Sequence, residues 1–285
     1  MTMTEEDTRT ASSQPARADA SPRPARRRGS GAAGRKRGQR TIAPLRGLLP
    51  LVVILVLWQI FGPSQSVYAP PPGSWFEQLA RLWSDGTLLK ALLDTITTFA
   101  ISVVIATVLG TVFGALVGRV HVLDRMLGPV FEFFRVLPPA AMVPLAVLIA
   151  GYSQDMKVGV VVLSAIWPIL LQVRATARGL DPILFDVAKV MRVGRMRTFT
   201  KVLLPSITPA ILQGLRLATP ILLIIVLLVE IVTRINGLGG QIQQATENYQ
   251  SAAVYGLLVV TGLLVLAMNF LVGALESWFL RYRPH

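Results

Sequence analysis

The chain contains no cysteine and only two histidines, His121 and His285. Without cysteine, disulfide bonds and thiolate metal sites are excluded, and the two histidines are too far apart in sequence to form a recognisable metal motif. The phosphate-binding pattern Gly-x-x-x-x-Gly-Lys-Ser/Thr is also missing, as are the Gly-x-Ser-x-Gly and His-Glu-x-x-His patterns of hydrolases. Nothing in the sequence therefore supports an enzymatic function, and any ATP hydrolysis requires a separate chain.

Charged residues are scarce as well, at 15% of the chain, whereas 53% is hydrophobic and the mean hydropathy is +0.57. This composition excludes a soluble globular domain. Six apolar runs approach the ~20 residues that a helix needs to cross a bilayer: residues 42–61, 93–118, 129–150, 158–173, 209–232 and 254–280. We therefore predict an all-α, polytopic membrane protein with six transmembrane helices. In the third run, Pro138, Pro139 and Pro144 favour a short interfacial helix followed by a kinked span.

Lysine and arginine are concentrated in the loops after the second and fourth runs and are sparse in the loops after the first, third and fifth. Cytoplasmic loops of membrane proteins carry the excess of basic residues. We therefore predict a multi-pass protein of the inner membrane, with both termini and the loop 174–208 in the cytoplasm.

The N-terminal segment, residues 1–41, is rich in Ala, Ser, Pro, Gly and Arg and has little to bury. We predict a disordered basic cytoplasmic tail, followed by a permease domain over residues 42–285. The simplest role of the tail is to enforce membrane orientation. Attraction to anionic membrane lipid is an alternative, and nucleic-acid binding is not expected.

A polar, basic segment between two apolar runs, residues 181–209, contains the pattern of a short amphipathic helix. Asp181 can cap free N–H groups and Pro182 suits a first helical turn, while Gly194 is expected to end the helix. Apolar residues then recur at helical spacing: Ile183, Leu184, Val187, Val190 and Met191. A helix of this kind outside the bilayer needs a partner, and we expect that partner to be another protein.

The same segment resembles the cytoplasmic EAA loop of permeases from binding-protein-dependent ABC importers. That family's pattern is Glu-Ala-Ala-x-x-x-Gly, followed after a further stretch by Ile-x-Leu-Pro. Asp186, Val187 and Ala188 stand at the Glu-Ala-Ala positions, and Pro205 closes the motif in register. The resemblance implies that this loop docks on the ATPase subunit.

One position departs from the family's pattern. Arg192 stands where the family has its glycine, and Gly194 follows two residues later. By resemblance, we expect Val187 and Met191 to insert into a groove of the ATPase, and Asp186 and Arg192 to make polar contacts there.

The resemblance extends over residues 68–283 and includes Arg135-Val-Leu-Pro-Pro and the Gly-Leu-Gly of residues 237–239. It indicates the branch that handles sulfonates, taurine, nitrate, bicarbonate or heterocyclic precursors, and hence a small anionic solute. It implies three partners: ABC ATPase subunits, a second permease of the same or another sequence, and an extracytoplasmic substrate-binding protein. ATP and magnesium are expected on the ATPase, and no cofactor is expected on this chain.

Four polar residues in or near the apolar runs are candidates for the translocation pathway: Arg135, Gln172, Arg216 and Glu230. A charge in hydrocarbon costs roughly 2.5–3.5 kcal/mol, so such residues usually have a function or a partner. Interhelical ion pairs are the alternative for Arg216 and Glu230, a local pair with Glu132 is the default for Arg135, and helix–helix hydrogen bonding explains Gln172 equally well.

Gly110, Gly114 and Gly118 recur every four residues in the second run. This spacing predicts a face that packs closely against another helix of the same chain rather than a pore wall.

A rival interpretation is an ion-coupled secondary transporter or channel with no ATPase partner. Such a carrier needs inward-facing acidic residues near the midplane, for which Glu230 is the one candidate, and no inverted repeat is evident. A membrane anchor that works through the basic tail is a third interpretation, and deletion of residues 1–40 separates it from the other two.

Overall fold

The computed structural model describes residues 43–63 and 66–281, and within this part of the chain there is no strand, so the all-α prediction is confirmed. The predicted tail, residues 1–41, lies outside the described residues. The helices are α1 Ala43–Phe61, α2 Pro72–Ser84, α3 Thr87–Arg119, α4 His121–Val136, α5 Pro139–Ala150, α6 Gln154–Arg178, α7 Pro182–Val190, α8 Arg195–Thr198, α9 Leu204–Thr233, α10 Leu238–Glu247 and α11 Ser251–Arg281, with a π-helical turn, Phe199–Leu203, between α8 and α9.

Four helices in the described residues are long and apolar enough to cross a membrane: Thr87–Arg119, Gln154–Arg178, Arg195–Thr233 and Ser251–Phe279. The pair α4–α5 adds a fifth candidate if it counts as one span. The apolar part of α1 for which side chains are described, Leu49–Phe61, is shorter than a bilayer-crossing helix. The structure therefore has four or five candidate spans, against the six predicted.

The third predicted run, residues 129–150, is not one continuous helix. It is divided between α4 and α5, whose axes differ by 94°. Pro138 precedes α5 and Pro139 begins it, while Leu137 before them is extended, with φ −60° and ψ 124°. Proline restricts the residue before it to such extended conformations and cannot continue a helical hydrogen-bond ladder, so the Pro-Pro pair forces the bend.

Helix α6 lies at the centre of the bundle, and its largest interface is with α3. A Cβ atom added at Gly114 would lie 2.6 Å from the carbonyl oxygen of Leu170, and one at Gly118 would lie 2.5 Å from that of Arg174. At Gly110 the added atom would lie 3.0 Å from Ile169. The glycine face of α3 thus packs against α6 of the same chain, as the spacing predicted.

On its other side α6 packs closely against α9. A Cβ atom at Gly214 of α9 would lie 2.8 Å from the Cα of Ile169, whose side chain is fully buried. Ile169 therefore lies against glycines of two helices, Gly110 of α3 and Gly214 of α9. The glycines allow the backbones of α3 and α9 to come very close to that of α6. These three helices position the other elements of the structure.

Replacement of Gly114 by alanine should destabilise the bundle. The new methyl group meets the backbone of α6, so the helices must separate, and overpacking of this kind costs about 1–3 kcal/mol. We expect a lower unfolding midpoint for detergent-solubilised protein. Gly262→Ala is the matched control, because a Cβ at Gly262 has open space around it. Equal midpoints for the two variants would contradict the close α3–α6 packing.

Candidate functional site

Helix α7 begins where the sequence predicted. The side chain of Asp181 accepts a hydrogen bond of 2.9 Å from the backbone N–H of Ile183, and Pro182 occupies the first turn. Asp181 thereby satisfies one of the N–H groups that have no partner within a helix, and proline fixes the backbone at its entry.

Helix α7 ends four residues before Gly194, at Val190, so the expectation that Gly194 ends it was wrong. Instead, Arg192 adopts a left-handed backbone with φ +52°. The Val193 N–H donates to the Ala188 carbonyl and the Arg192 N–H to the Lys189 carbonyl, both at 2.9 Å. These two bonds define a Schellman motif, in which the residue at the Arg192 position is most often glycine.

The two sides of α7 have different surroundings. Ala188 is buried, and the partly buried Phe185 packs against the main hydrophobic core. The guanidinium carbon of Arg119, at the end of α3, lies 3.5 Å from the centroid of the Phe185 ring, a close cation–π contact. The other side is exposed, with Val190 at 84% and Met191 at 71% of full accessibility. We call the exposed apolar side chains of α7 the docking face: Ile183, Leu184, Val187, Val190 and Met191.

An ion-pair cluster fixes α4 to the end of α6, close to the start of α7. The buried carboxylate of Asp124 accepts from Arg174 at 2.6 Å and pairs with Arg178 at 3.0 Å. Only the three residues 179–181 separate α6 from α7. Helix α7 is therefore joined to α6 by a short link and contacts α3 through Arg119 and Phe185.

Of the remaining predicted loop residues, Asp186 lies within α7 and Pro205 lies after it. Asp186 forms an exposed pair with Lys189 at 3.0 Å. Pro205 lies in the first turn of α9, directly after the π-helical turn, in which the Leu204 N–H bonds to the carbonyl of Phe199 five residues earlier. The apolar helix thus continues from Arg195 to Thr233, and Pro205 does not interrupt it.

A cavity of about 690 Å³ lies between the α4–α5 pair, α6 and α9. This volume is in the range typical of small-molecule sites. Two of the four predicted pathway residues, Arg135 and Gln172, line it, and Ser164 adds a hydroxyl group. The other lining residues are mostly apolar, and they include Trp167, whose ring is stacked on Phe134 at 6.2 Å.

The two arginines predicted for the pathway both have carboxylate partners. Arg135 lies 3.5 Å from Glu132, but both side chains are more than half exposed, so the pair is weak and the guanidinium group can still bind a solute. Arg216 of α9 pairs with Glu276 of α11 at 3.1 Å, which is the interhelical alternative for this residue.

Glu230 is fully buried and pairs with Lys157, also fully buried, at 3.1 Å. Lys157 lies just outside the predicted run at residues 158–173, whereas α6 begins at Gln154 and includes it. The missed signal is Ser153, whose hydroxyl accepts a hydrogen bond of 3.1 Å from the Met156 N–H, followed by Asp155 in the first turn.

Replacement of Arg192 by glycine should stabilise the end of α7. Glycine adopts φ +52° without the steric cost of a side chain, which is about 1 kcal/mol for a non-glycine residue. We expect slower hydrogen exchange at the amides of residues 192 and 193. Arg195→Gly, in the first turn of α8, is the matched control and should not slow exchange there. Faster exchange in Arg192→Gly would contradict the assigned backbone.

Known proteins resemble this chain in sequence and in fold. Residues 106–281 match the family described as binding-protein-dependent transport system inner membrane component. The bicarbonate transport system permease protein CmpB of Synechococcus elongatus is 32% identical over 82% of this chain and 90% of its own length. The nitrate import permease protein NrtB of Leptolyngbya laminosa is 26% identical, over 79% of this chain and 84% of its own. The putative aliphatic sulfonates transport permease protein SsuC of Bacillus subtilis is 28% identical over 84% of this chain and 88% of its own length.

Among solved structures, an inward-facing conformation of the MetNI methionine ABC transporter superposes with a TM-score of 0.57 at 20% identity, over 70% of this chain and 97% of that one. An amino acid ABC transporter solved with histidines superposes with a TM-score of 0.51 at 17% identity, over 72% of this chain and 98% of that one. These two likenesses concern the fold alone. The family match covers more than half of the chain: the chain belongs to the binding-protein-dependent transport system inner membrane component family, and it is a multi-pass permease subunit of an ABC importer.

Proposed function

We propose that this permease imports a small anion, of the bicarbonate, nitrate or sulfonate kind, in a complex driven by separate ATPase subunits. The observation that carries the proposal is the docking face of α7, a row of exposed apolar side chains on a helix whose opposite side is attached to α3 and α6. Exposed apolar patches of this kind mark protein interfaces. The ATPase subunits bind ATP and magnesium, and this chain holds no cofactor of its own.

In this proposal the chain crosses the membrane six times, with α1 and the α4–α5 pair completing the four long helices. Both termini and α7 are cytoplasmic. The distribution of basic residues supports this orientation, because the end of the bundle that carries α7 holds most of them: Arg119, Arg125, Arg174, Arg178, Lys189, Arg192, Arg195, Arg197 and Lys201. The opposite loops hold Arg81, Lys90 and Arg234.

The contacts of α7 support a mechanical coupling. When nucleotide binding moves the ATPase subunits together, the docking face moves with them, and α7 displaces α6 through residues 179–181. The Arg119 contact with Phe185 carries the same displacement to α3, and the Asp124 cluster carries it to α4. Helices α3 and α6 meet with very close backbones, so they move as one body rather than independently.

The cavity beside Trp167 is the proposed path of the solute. Arg135 supplies a permanent positive charge and Gln172 supplies amide N–H donors, a combination suited to oxyanions, while the Ser164 hydroxyl already donates to the Val160 carbonyl. A second permease, identical or related, completes the path on the open side. An extracytoplasmic binding protein delivers the solute, as the family name describes.

Disruption of α7 should abolish association with the ATPase and leave membrane insertion intact. Ala188→Pro removes a hydrogen bond and introduces a clash in the last turn of the helix, at a cost of about 3 kcal/mol. Val190→Asp leaves the helix intact and places a charge on the docking face, where the side chain is 84% exposed. We expect neither variant to co-purify with ATPase subunits in mild detergent.

Gln244→Asp is the control for this experiment, because it also adds a charge at an exposed position but on α10, away from α7. It should retain the ATPase. Normal ATPase association of Val190→Asp would refute the assignment of the docking face, and insertion of all three variants is checked by their yield in the membrane fraction.

Neutralisation of Arg135 should weaken transport of an anion and leave ATPase association unchanged. In Arg135→Gln the positive charge that lines the cavity is lost, and charge-assisted hydrogen bonds are about twice as strong as neutral ones. We expect at least about a tenfold lower transport efficiency, since one such bond contributes ~1.5–3 kcal/mol. Uptake of labelled bicarbonate, nitrate and an alkanesulfonate into cells gives the measurement. Arg216→Gln is the matched control, and equal losses in both variants would contradict the path through the cavity.

A further inference from the structure

The pair formed by Lys157 and Glu230 is the centre of a buried polar network. Both side chains have zero exposure, and theirs is the one fully buried ion pair among the described residues. We call the network of Thr95, Lys157, Glu230, Asn236 and Gly239 the Lys157–Glu230 network. It lies far from α7, because Thr95 and Arg119 are roughly 36 Å apart along α3 at the helical rise of about 1.5 Å per residue.

Glu230 joins three helices to one turn. Its carboxylate accepts from Thr95 of α3 at 3.0 Å, from Lys157 of α6 at 3.1 Å and from the backbone N–H of Gly239 at 3.0 Å. Lys157 in addition donates to the backbone carbonyl of Asn236 at 2.9 Å. Thr95 closes the network, since its hydroxyl accepts from the Leu238 N–H at 2.9 Å. Three of these bonds hold backbone groups of the 236–239 turn.

The turn is built around the carboxylate and leaves no room beside it. A Cβ atom at Gly237 would lie 2.1 Å from the carboxyl carbon of Glu230, and Gly237 has φ +142°, which disfavours any side chain. A Cβ at Gly239 would lie 2.7 Å from the Cβ of Glu230. Glu230 is therefore enclosed by protein backbone, and a solute does not reach it in this conformation.

The turn leads directly into α10, Leu238–Glu247. This helix buries Leu238, Ile242 and Ala245 against α3, α9 and α11 and exposes a polar side. Asn236 and Gln241 line two small clefts at this end of the bundle, of about 320 and 250 Å³. The position of the turn thus determines the shape of the surface at the end opposite to α7.

An ion pair is not required merely to fill this space. Replacement of a buried pair by apolar residues of similar volume is often neutral or stabilising, whereas removal of one partner leaves an uncompensated charge. Apolar side chains would pack equally well, but they could not bond to the Gly239 N–H or the Asn236 carbonyl. An apolar pair could therefore replace the packing of Lys157 and Glu230 but not their hydrogen bonds to the 236–239 turn.

We propose that Lys157 and Glu230 are positioning residues, whose buried ion pair fixes the 236–239 turn and α10 and so sets the surface at the end of the permease opposite to α7. In the topology proposed above, that end faces outward, toward the binding protein. The positional part of this inference does not depend on that topology and is tested without the ATPase or a solute.

The absence of natural cysteine allows a direct test with single cysteines in the full chain, reconstituted in lipid nanodiscs. Ala245→Cys reports on the buried side of α10, Ala165→Cys on the core of α6, and Gln244→Cys on reagent access at an exposed site. The rate of maleimide labelling is measured for each in the parent and in Lys157→Met/Glu230→Met. The double variant keeps side-chain volume and removes both the charges and the bonds to the turn.

We expect labelling of Ala245→Cys to accelerate at least about tenfold in the double variant, because α10 opens locally, while Ala165→Cys and Gln244→Cys keep their parental rates. Unchanged labelling at position 245 would overturn the proposal. Equal acceleration at positions 245 and 165 would also overturn it, because general loosening of the bundle would then be the cause.

Thr95→Val provides a second variant if the double variant is not recovered from membranes. It retains the ion pair but removes the hydroxyl that bonds both Glu230 and the Leu238 N–H. We expect a smaller acceleration at position 245, about threefold, again with position 165 unchanged. The same two results, no acceleration or equal acceleration at both sites, would overturn the proposal.

Discussion

The close approach of α3 and α9 to α6 is the constraint on which the rest of the structure depends. Between membrane helices the hydrophobic effect contributes little, so association depends on packing and on polar contacts. Gly114 and Gly214 provide the packing, since a methyl group at either would meet the backbone of α6. With these three helices fixed, the two ends of the bundle have defined positions. Each end holds a different kind of polar contact.

At one end, charged side chains join α3 to α7 and α4 to α6 without burying α7. Arg119 holds Phe185 by a cation–π contact, Asp124 binds the two arginines at the end of α6, and the docking face of α7 is left exposed. At the other end, the ion pair of Lys157 and Glu230 is fully buried and bonds to a turn. In the proposed mechanism, the first arrangement leaves the docking face free for the ATPase to bind and move. The second arrangement keeps the surface at the opposite end in one shape.

Much of this architecture was predictable from the sequence, and the failures have identifiable causes. Asp181-Pro182 and the apolar period located α7, because local capping chemistry determines where a helix begins. Its end was mispredicted, because two local backbone hydrogen bonds close the helix around Arg192, which adopts a conformation usually taken by glycine. Lys157 fell outside the predicted run because the helix cap at Ser153 was missed, and its pairing with Glu230 was not predictable because the two residues are 73 positions apart. The break between α4 and α5 followed from Pro138-Pro139, whereas its angle of 94° was not predicted.

The most direct test of the account is to identify what contacts the docking face in native membranes. A photoactivatable maleimide is attached to Val190→Cys, and to Leu148→Cys on α5 as an equally exposed comparison at 83%. The account predicts that position 190 cross-links to a nucleotide-hydrolysing chain that carries a phosphate-binding loop, and that position 148 does not. A permease that cross-links at position 190 only to lipid or to its own copies would contradict the assignment of α7 as the ATPase-docking helix.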